Sequence, residues 1–248
     1  MPRYRLLLEY DGGPFHGWQI QTNGPSVQAA LEAAVTKLTG ERVTAVAAGR
    51  TDSGVHALAM PVHMDLVRDW PPERLVGGLN AHLRPAPIAV LEVSPADDGF
   101  HARFSAMGRR YLYRILNRRA PAALLRGRAW HVPTPLDAAA MAKAAACLVG
   151  RHDFTSFRAA HCQAKSPLKT LHRLEVSQKG GLVEIEAAAP SFLHHQVRNI
   201  VGTLKLVGEG RKGVDFVEEA LRARDRAAAG PTAPPEGLYF VAAEYGAT

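Results

Sequence analysis

Apolar and polar residues alternate along Tyr4–Glu9 with the two-residue period of a strand, after which the period lengthens. Val27, Leu31, Ala34, Val35 and Leu38 follow helical spacing, with Ser26 placed to cap the first turn and Gly40 to stop the last. Val43–Ala48 and Met60–Leu66 are apolar enough for strands on either side of a glycine-containing loop. A second helix is expected from about Pro72 through Leu75 and Leu79 toward Leu83, since proline suits a first helical turn, and an apolar strand follows over Ile88–Val93. The order is βαββαβ.

The same order recurs with longer insertions. Arg109–Leu116 reads as a strand, Leu136–Val149 as a helix ended by Gly150, and Thr170–Gln178 as a strand that turns at Gly180-Gly181 into Leu182–Ala188. A helix from about Phe192 to Val207, a shorter one over Val214–Arg224, and a strand over Leu238–Tyr245 complete it, with Ala227–Pro235 as a Pro/Ala-rich loop. The expected fold is α+β, with two ferredoxin-like βαββαβ halves and mainly antiparallel sheets, divided as residues 1–105 and 106–248. The halves repeat in topology, not in evident sequence identity.

Charge changes the picture more than hydrophobicity does. The 248 residues are 47% hydrophobic, enough for real cores, yet no run approaches the roughly 20 apolar residues of a membrane span. Leu6–Leu8 is cut short by Glu9, so neither a signal peptide nor an anchor is read and a cytoplasmic location is expected. Thirty Lys plus Arg against 23 Asp plus Glu give a net charge of +7, which favours a polyanionic partner. Arg103, Arg109, Arg110, Arg114, Arg118, Arg119, Arg126 and Arg128 crowd around Tyr111 and Tyr113. A charge cluster alone is usually a solvated face, and a Tyr-x-Tyr strand more often lines a core, but aromatics among arginines suit base stacking with phosphate pairing in RNA.

Cys147 and Cys162 have no close ligand spacing, so they read as reduced structural thiols. Adjacent His194 and His195 point in different directions on a helix, and His56 and His63 fall in a loop and a strand, so no metal site is expected.

The most unusual segment is Ala48-Gly49-Arg50-Thr51-Asp52-Ser53-Gly54-Val55-His56-Ala57, longer than a hairpin needs. Thr-Asp-Ser-Gly is a competent turn by itself, but here an arginine, a carboxylate and a histidine also come together between glycines. Gly49–Ala57 resembles the signature loop of the TruA family of tRNA pseudouridine synthases. Tyr10-Asp11-Gly12 with Phe15-His16-Gly17-Trp18-Gln19, Phe100–Ala106, Arg110–Ile115, Asp153–Phe157, Val197–Gly202 and Gly237-Leu238-Tyr239 resemble further segments of that family in the same order. The likeness spans nearly the whole chain. Its departures are mild: Ser53 replaces a usual alanine, Gln196 a common methionine, and Pro87 a frequent acidic residue.

The resemblance implies an enzyme that isomerises uridine to pseudouridine at positions 38, 39 and 40 of the tRNA anticodon stem-loop, without cofactor, as a homodimer. It implies Asp52 as nucleophile, Arg198 as the cation that keeps it ionised across a cleft between the halves, and Tyr111 stacked on a flipped-out base. Arg50, His56, Phe100, His101, Ala102, Arg103, Phe104, Arg119, Arg158, Gln163 and Lys165 are nominated for RNA contact. Two other classes share parts of this pattern. A non-catalytic RNA-binding module has no use for Asp52 facing an RNA anion, and a metal-dependent nuclease or phosphotransferase needs clustered carboxylates or a phosphate-cradling loop leading into a helix.

Overall fold

The computed structural model describes residues 1–246. The chain packs as two units, one formed by Met1–Met107 with the segment that starts at Tyr239, the other by Gly108–Leu238. The first runs β1 (Arg3–Tyr10), α1 (Val27–Thr39), β2 (Val46–Ala47), β3 (His56–Asp65), α2 (Pro72–Leu83) and β4 (Ile88–Ala96). Its antiparallel order β4-β1-β3-β2 is that of a ferredoxin-like sheet. Along β1 the two-residue period puts Tyr4, Leu6, Leu8 and Tyr10 in the core, against Met60, Val62 and Met64 of β3.

Both helices of this unit end as their residues dictate. Ser26 accepts the Ala29 amide at 3.2 Å, and Gly40 adopts the left-handed φ of 77° that closes α1. Pro71 gives α2 no side-chain cap, a loss of about 1 kcal/mol. Leu75, Leu79 and Leu83 are buried on one face of α2, and each contributes about 1.5–3 kcal/mol, so packing decides.

The second unit contains β5 (Ala106–Asn117), β6 (Trp130–Val132), α3 (Ala138–Ala145), β7 (Gly150–Asp153), β8 (Leu168–Leu171), β9 (Arg173–Lys179), β10 (Leu182–Ala189), α4 (Gln196–Gly208) and α5 (Phe216–Ala223). The strand order β5-β10-β9 is antiparallel, with β6 parallel on β5, and α3 packs on β9, α4 and α5. The final strand, β11 (Leu238–Tyr245), lies parallel to β3 through the pairs Tyr239–His56 and Phe240–Ala57.

Several elements differ from their sequence expectation. Val43–Ala48 yields only Val46–Ala47 as strand. Thr170–Gln178 is two strands divided at His172, because β8 pairs with β7 while β9 pairs with β10. Gly150 does end the helical region, but with φ 108° it opens β7 after a 3-10 turn over Ala146–Leu148. The helix expected from Phe192 starts at Gln196, since His195 takes a left-handed φ of 62°.

Candidate active site

Asp52 sits in the segment joining β2 to β3, and the amino-terminal chain clamps that segment by its backbone. Trp18 N donates to Thr51 O at 3.1 Å, Gly54 N to Phe15 O at 3.2 Å, and Val55 N to Asp52 O at 3.1 Å. The Tyr10 and Thr51 hydroxyls lie 2.9 Å apart, both in buried residues. Glycine is required where the two segments meet. A Cβ on Gly12 would stand 2.0 Å from Val55 O, and one on Gly17, already at φ 96°, would stand 2.5 Å from Thr51 O. The result is a half-buried carboxylate on a fixed turn.

His56 closes the clamp from inside. It is 2% exposed, its Nδ1 lies 3.0 Å from Gly12 N and 3.1 Å from Asp11 Oδ1, and its ring stacks on Tyr239 at 4.8 Å. One nitrogen cannot accept from an amide and donate to a carboxylate at once. The buried Gly12 amide always has a proton to give, so Nδ1 accepts it.

In the second unit, Arg198 projects from the first turns of α4 and donates Nε–H to Ala233 O at 2.8 Å, while Ala233 N returns a hydrogen bond to Arg198 O at 3.1 Å. The neighbouring Asn199 is fully buried. Its Nδ2 donates to Phe157 O at 2.9 Å, and its Oδ1 accepts from Thr232 Oγ1 at 2.6 Å and from Arg226 at 3.2 Å. One turn on, Thr203 Oγ1 accepts from Gly230 N at 2.9 Å, and a Cβ on Gly202 would stand 1.7 Å from Pro231 O. The i, i+4 rows 198/202 and 199/203 thus bolt one face of α4 to the 226–233 loop.

Tyr111 lies on β5, half-buried, with its ring edge-on to Phe192 at 5.1 Å. Tyr113, two residues on, is fully buried and donates to Pro234 O at 2.7 Å. Burial first, and then the Glu236 carboxylate, holds its phenol far above the ordinary range, with Arg198 pulling the other way. It is a core tyrosine, not a titrating group.

A family profile described as tRNA pseudouridine synthase matches residues 7–105 and 144–246. The chain belongs to the tRNA pseudouridine synthase family. A protein of Rhodospirillum centenum named tRNA pseudouridine synthase A is 63% identical over 245 residues, covering 99% of this chain and 100% of that protein. One of the same name from Rhizobium leguminosarum is 59% identical over 247 residues, covering 99% of this chain and 92% of that one. The solved structure of a Cbf5-Nop10-Gar1 complex is similar with a TM-score of 0.40 and 12% identity, over 96% of this chain and 48% of that chain, so the chain spans about half of its length.

The residues nominated for RNA contact in this pseudouridine synthase fall into two groups. Arg50, Arg103, Phe104, Arg119, Gln163 and Lys165 are exposed. His56 and Ala102 are buried, while Phe100, His101 and Arg158 are half-buried. Within Phe100–Ser105, Tyr245 Oη donates to Ala102 O at 2.7 Å, His63 Nδ1 accepts the Ala102 amide at 3.2 Å, and His101 Nδ1 accepts the Arg103 and Phe104 amides at 3.2 and 3.1 Å. That turn raises Phe104, 77% exposed, with the His101 ring beneath it at 4.3 Å. Arg158 donates to Cys162 O at 2.9 Å, and Arg114 pairs with Glu184 across the strands at 2.9 Å, so these two arginines are engaged within the fold. Of the family departures, Gln196 Oε1 accepts the Leu193 amide at 2.8 Å while its buried Nε2 has no hydrogen-bond partner among the described residues, and Pro87 O accepts the Asp11 amide at 3.0 Å.

Sequence reasoning missed Asn199, Thr203, Thr232 and Arg226 as the brace of Arg198. Asn199 and Gly202 lie inside the Val197–Gly202 motif, but nothing in the sequence pairs them with the Pro/Ala-rich loop. Burial pushes the Cys147 thiol up and Cys162 is buried, so both cysteines are poor nucleophiles. Among the described residues no helix is long and apolar enough to cross a membrane.

Proposed function

We propose that this family member isomerises uridine to pseudouridine at positions 38, 39 and 40 of the tRNA anticodon stem-loop, with Asp52 as nucleophile. The reaction breaks the bond from ribose C1′ to uracil N1 and forms one from C1′ to C5. The C5 proton leaves to solvent and N1 gains one, so no oxidant and no imported group is needed. What the protein must supply is an anion fixed at the reacting atoms, a grip on the detached base, and exclusion of water.

The observation that carries this reading is the backbone clamp on the Asp52 turn, made by Gly12, Phe15, Gly17 and Trp18. A turn serving only to connect two strands has no need of such restraint. A carboxylate shielded from water by a bound base drifts to its neutral form unless a cation opposes that, and Arg198 fills this role. Tyr111 stacks on the flipped base. Extrusion costs a few kcal/mol and stacking returns about 1–3 kcal/mol, so the exposed Arg50, Arg103, Phe104, Arg119, Gln163 and Lys165 complete the hold on the RNA. The enzyme works as a cytoplasmic homodimer.

Asp52→Ala is the test. Tritium release from tRNA labelled at uridine C5 should vanish, while tRNA binding by filter retention stays within about threefold of the parent, because the variant removes chemistry and not the basic surface. Normal label release by that variant removes Asp52 from the reaction.

A further inference from the structure

The guanidinium of Arg226 forks over the loop that holds Arg198. One terminal nitrogen donates to Gly230 O at 2.8 Å, and the other lies 3.2 Å from both Asn199 Oδ1 and Thr232 Oγ1. All three acceptors are neutral, so the side chain serves here as a planar clamp and not as half of an ion pair. It spans both ends of the Gly230–Thr232 segment and ties them to the buried Asn199. The residue immediately after that segment is Ala233, whose carbonyl takes the Arg198 Nε–H and whose amide returns a bond to Arg198 O. Arg226 itself is set by a short 3-10 turn, Arg226–Ala228, capped by Asp225 through the Ala227 amide at 2.9 Å.

We propose that Arg226 is a positioning residue for the isomerisation, holding the 230–233 loop so that Ala233 O fixes the Arg198 guanidinium. The assignment rests on the reading of Arg198 as the cation opposed to Asp52. An arginine whose Nε is committed to a carbonyl meets an anion through its terminal nitrogens, and a carbonyl displaced by an ångström turns the whole plane. Gly202 is the second constraint: with its Cα position against Pro231 O, the loop cannot slide toward the helix, and Arg226 prevents it from lifting away.

The test uses the full-length enzyme and the kcat–pH profile for tRNA. A misoriented cation leaves the nucleophile easier to protonate, so the acid limb of kcat moves to higher pH. Arg226→Ala should lower kcat about 10- to 100-fold with KM within about twofold, and raise the acid limb by about one pH unit. Arg226→Lys, which lacks the planar fork, should recover only part of kcat, and Thr232→Val should move the limb in the same direction by less. A folded Arg226→Ala enzyme with an unmoved acid limb overturns the proposal, as does full recovery by lysine. If Arg226→Ala does not fold, Thr232→Val decides, and an unmoved limb there overturns it equally. Arg198→Lys separates the two ideas. A parental limb in that variant removes the reading of Arg198 and the positioning with it, whereas a moved limb beside an unmoved one in Arg226→Ala removes the positioning alone.

Discussion

Around Asp52 the restraints are mainly amides and carbonyls, whereas around Arg198 side chains add to the backbone contacts. The Asp52 turn is held by Trp18 N, Gly54 N and Val55 N, with two glycines allowing backbone to touch backbone. The α4 face is held by Asn199, Thr203, Thr232 and Arg226, through bonds that join residues 27 to 42 positions apart. A turn held by its own backbone is a mount that no rotamer change can loosen. A long arginine needs its own atoms steered, and only side chains and a loop carbonyl reach them. The contrast predicts which substitutions each region tolerates.

The largest effects belong to glycines, at each of which a region brings its own backbone segments together. An added Cβ at Gly12 falls 2.0 Å from Val55 O, and at Gly202 1.7 Å from Pro231 O, so backbone must move in both. Each of Gly12→Ala and Gly202→Ala should cost about 3 kcal/mol, the second offset by about 1 kcal/mol from better helix propensity. Gly12→Ala should also lower kcat by about 100-fold, since an ångström of displacement at Asp52 is transmitted directly. Urea midpoints with single-turnover label release measure both. Parental stability in either variant means that its loop relaxes freely and that the close approach is incidental.

Polar side chains separate the regions more sharply. Asn199→Ala leaves Phe157 O without its side-chain donor and the Thr232 hydroxyl without its acceptor, and should cost about 2 kcal/mol. Thr51→Val removes only the hydroxyl that contacts Tyr10 Oη and should cost about 1 kcal/mol, because the Thr51 carbonyl still binds Trp18 N. Equal losses in urea denaturation would erase the distinction between a backbone-held and a side-chain-held mount.

The legible parts of the sequence were those with local causes. Ser26 and Gly40 bound α1 by their own chemistry, and the Gly180-Gly181 turn sets the β9–β10 hairpin, with Lys179 opposite Leu182. The three residues of β6 escaped because a strand that short shows no alternation, and it forms only by pairing parallel with Ile115–Asn117. Phe192–His195 carries a helical pattern, yet His195 breaks it with a φ that its residue type does not announce. At the site, the Asp52 segment stood out by its length and content, and the resemblance supplied Arg198. The brace around Arg198 could not be read, since Asn199 and Arg226 become neighbours only through tertiary packing.

The smallest expected effect tests whether the Phe100–Ser105 turn, unlike the backbone-held Asp52 turn, is mounted by a neutral side-chain acceptor or by a charge. His63 accepts the Ala102 amide on Nδ1, and burial, then the nearby His101 and Arg3, holds its pKa below the ordinary value. The folded ring is therefore the weaker base, and the unfolded chain takes up the proton first as pH falls. Stability due to neutral His63 is complete above about pH 6.5 and is lost as pH drops from there toward the folded-state value. Asp65, held down first by its Arg3 hydrogen bond, and Asp153, where burial pushes up but the Thr155 hydrogen bonds with Arg224 and Arg158 together hold the carboxyl down, lose their contributions only below about pH 3.9. His63→Asn keeps an acceptor near Ala102 N and cannot titrate. Its urea stability should lack the decline that the parent shows from pH 6.5 to 5, while both proteins fall together below pH 4. If the decline persists in the asparagine variant, another group governs that window, and the exposed Phe104 is mounted by something other than a neutral imidazole.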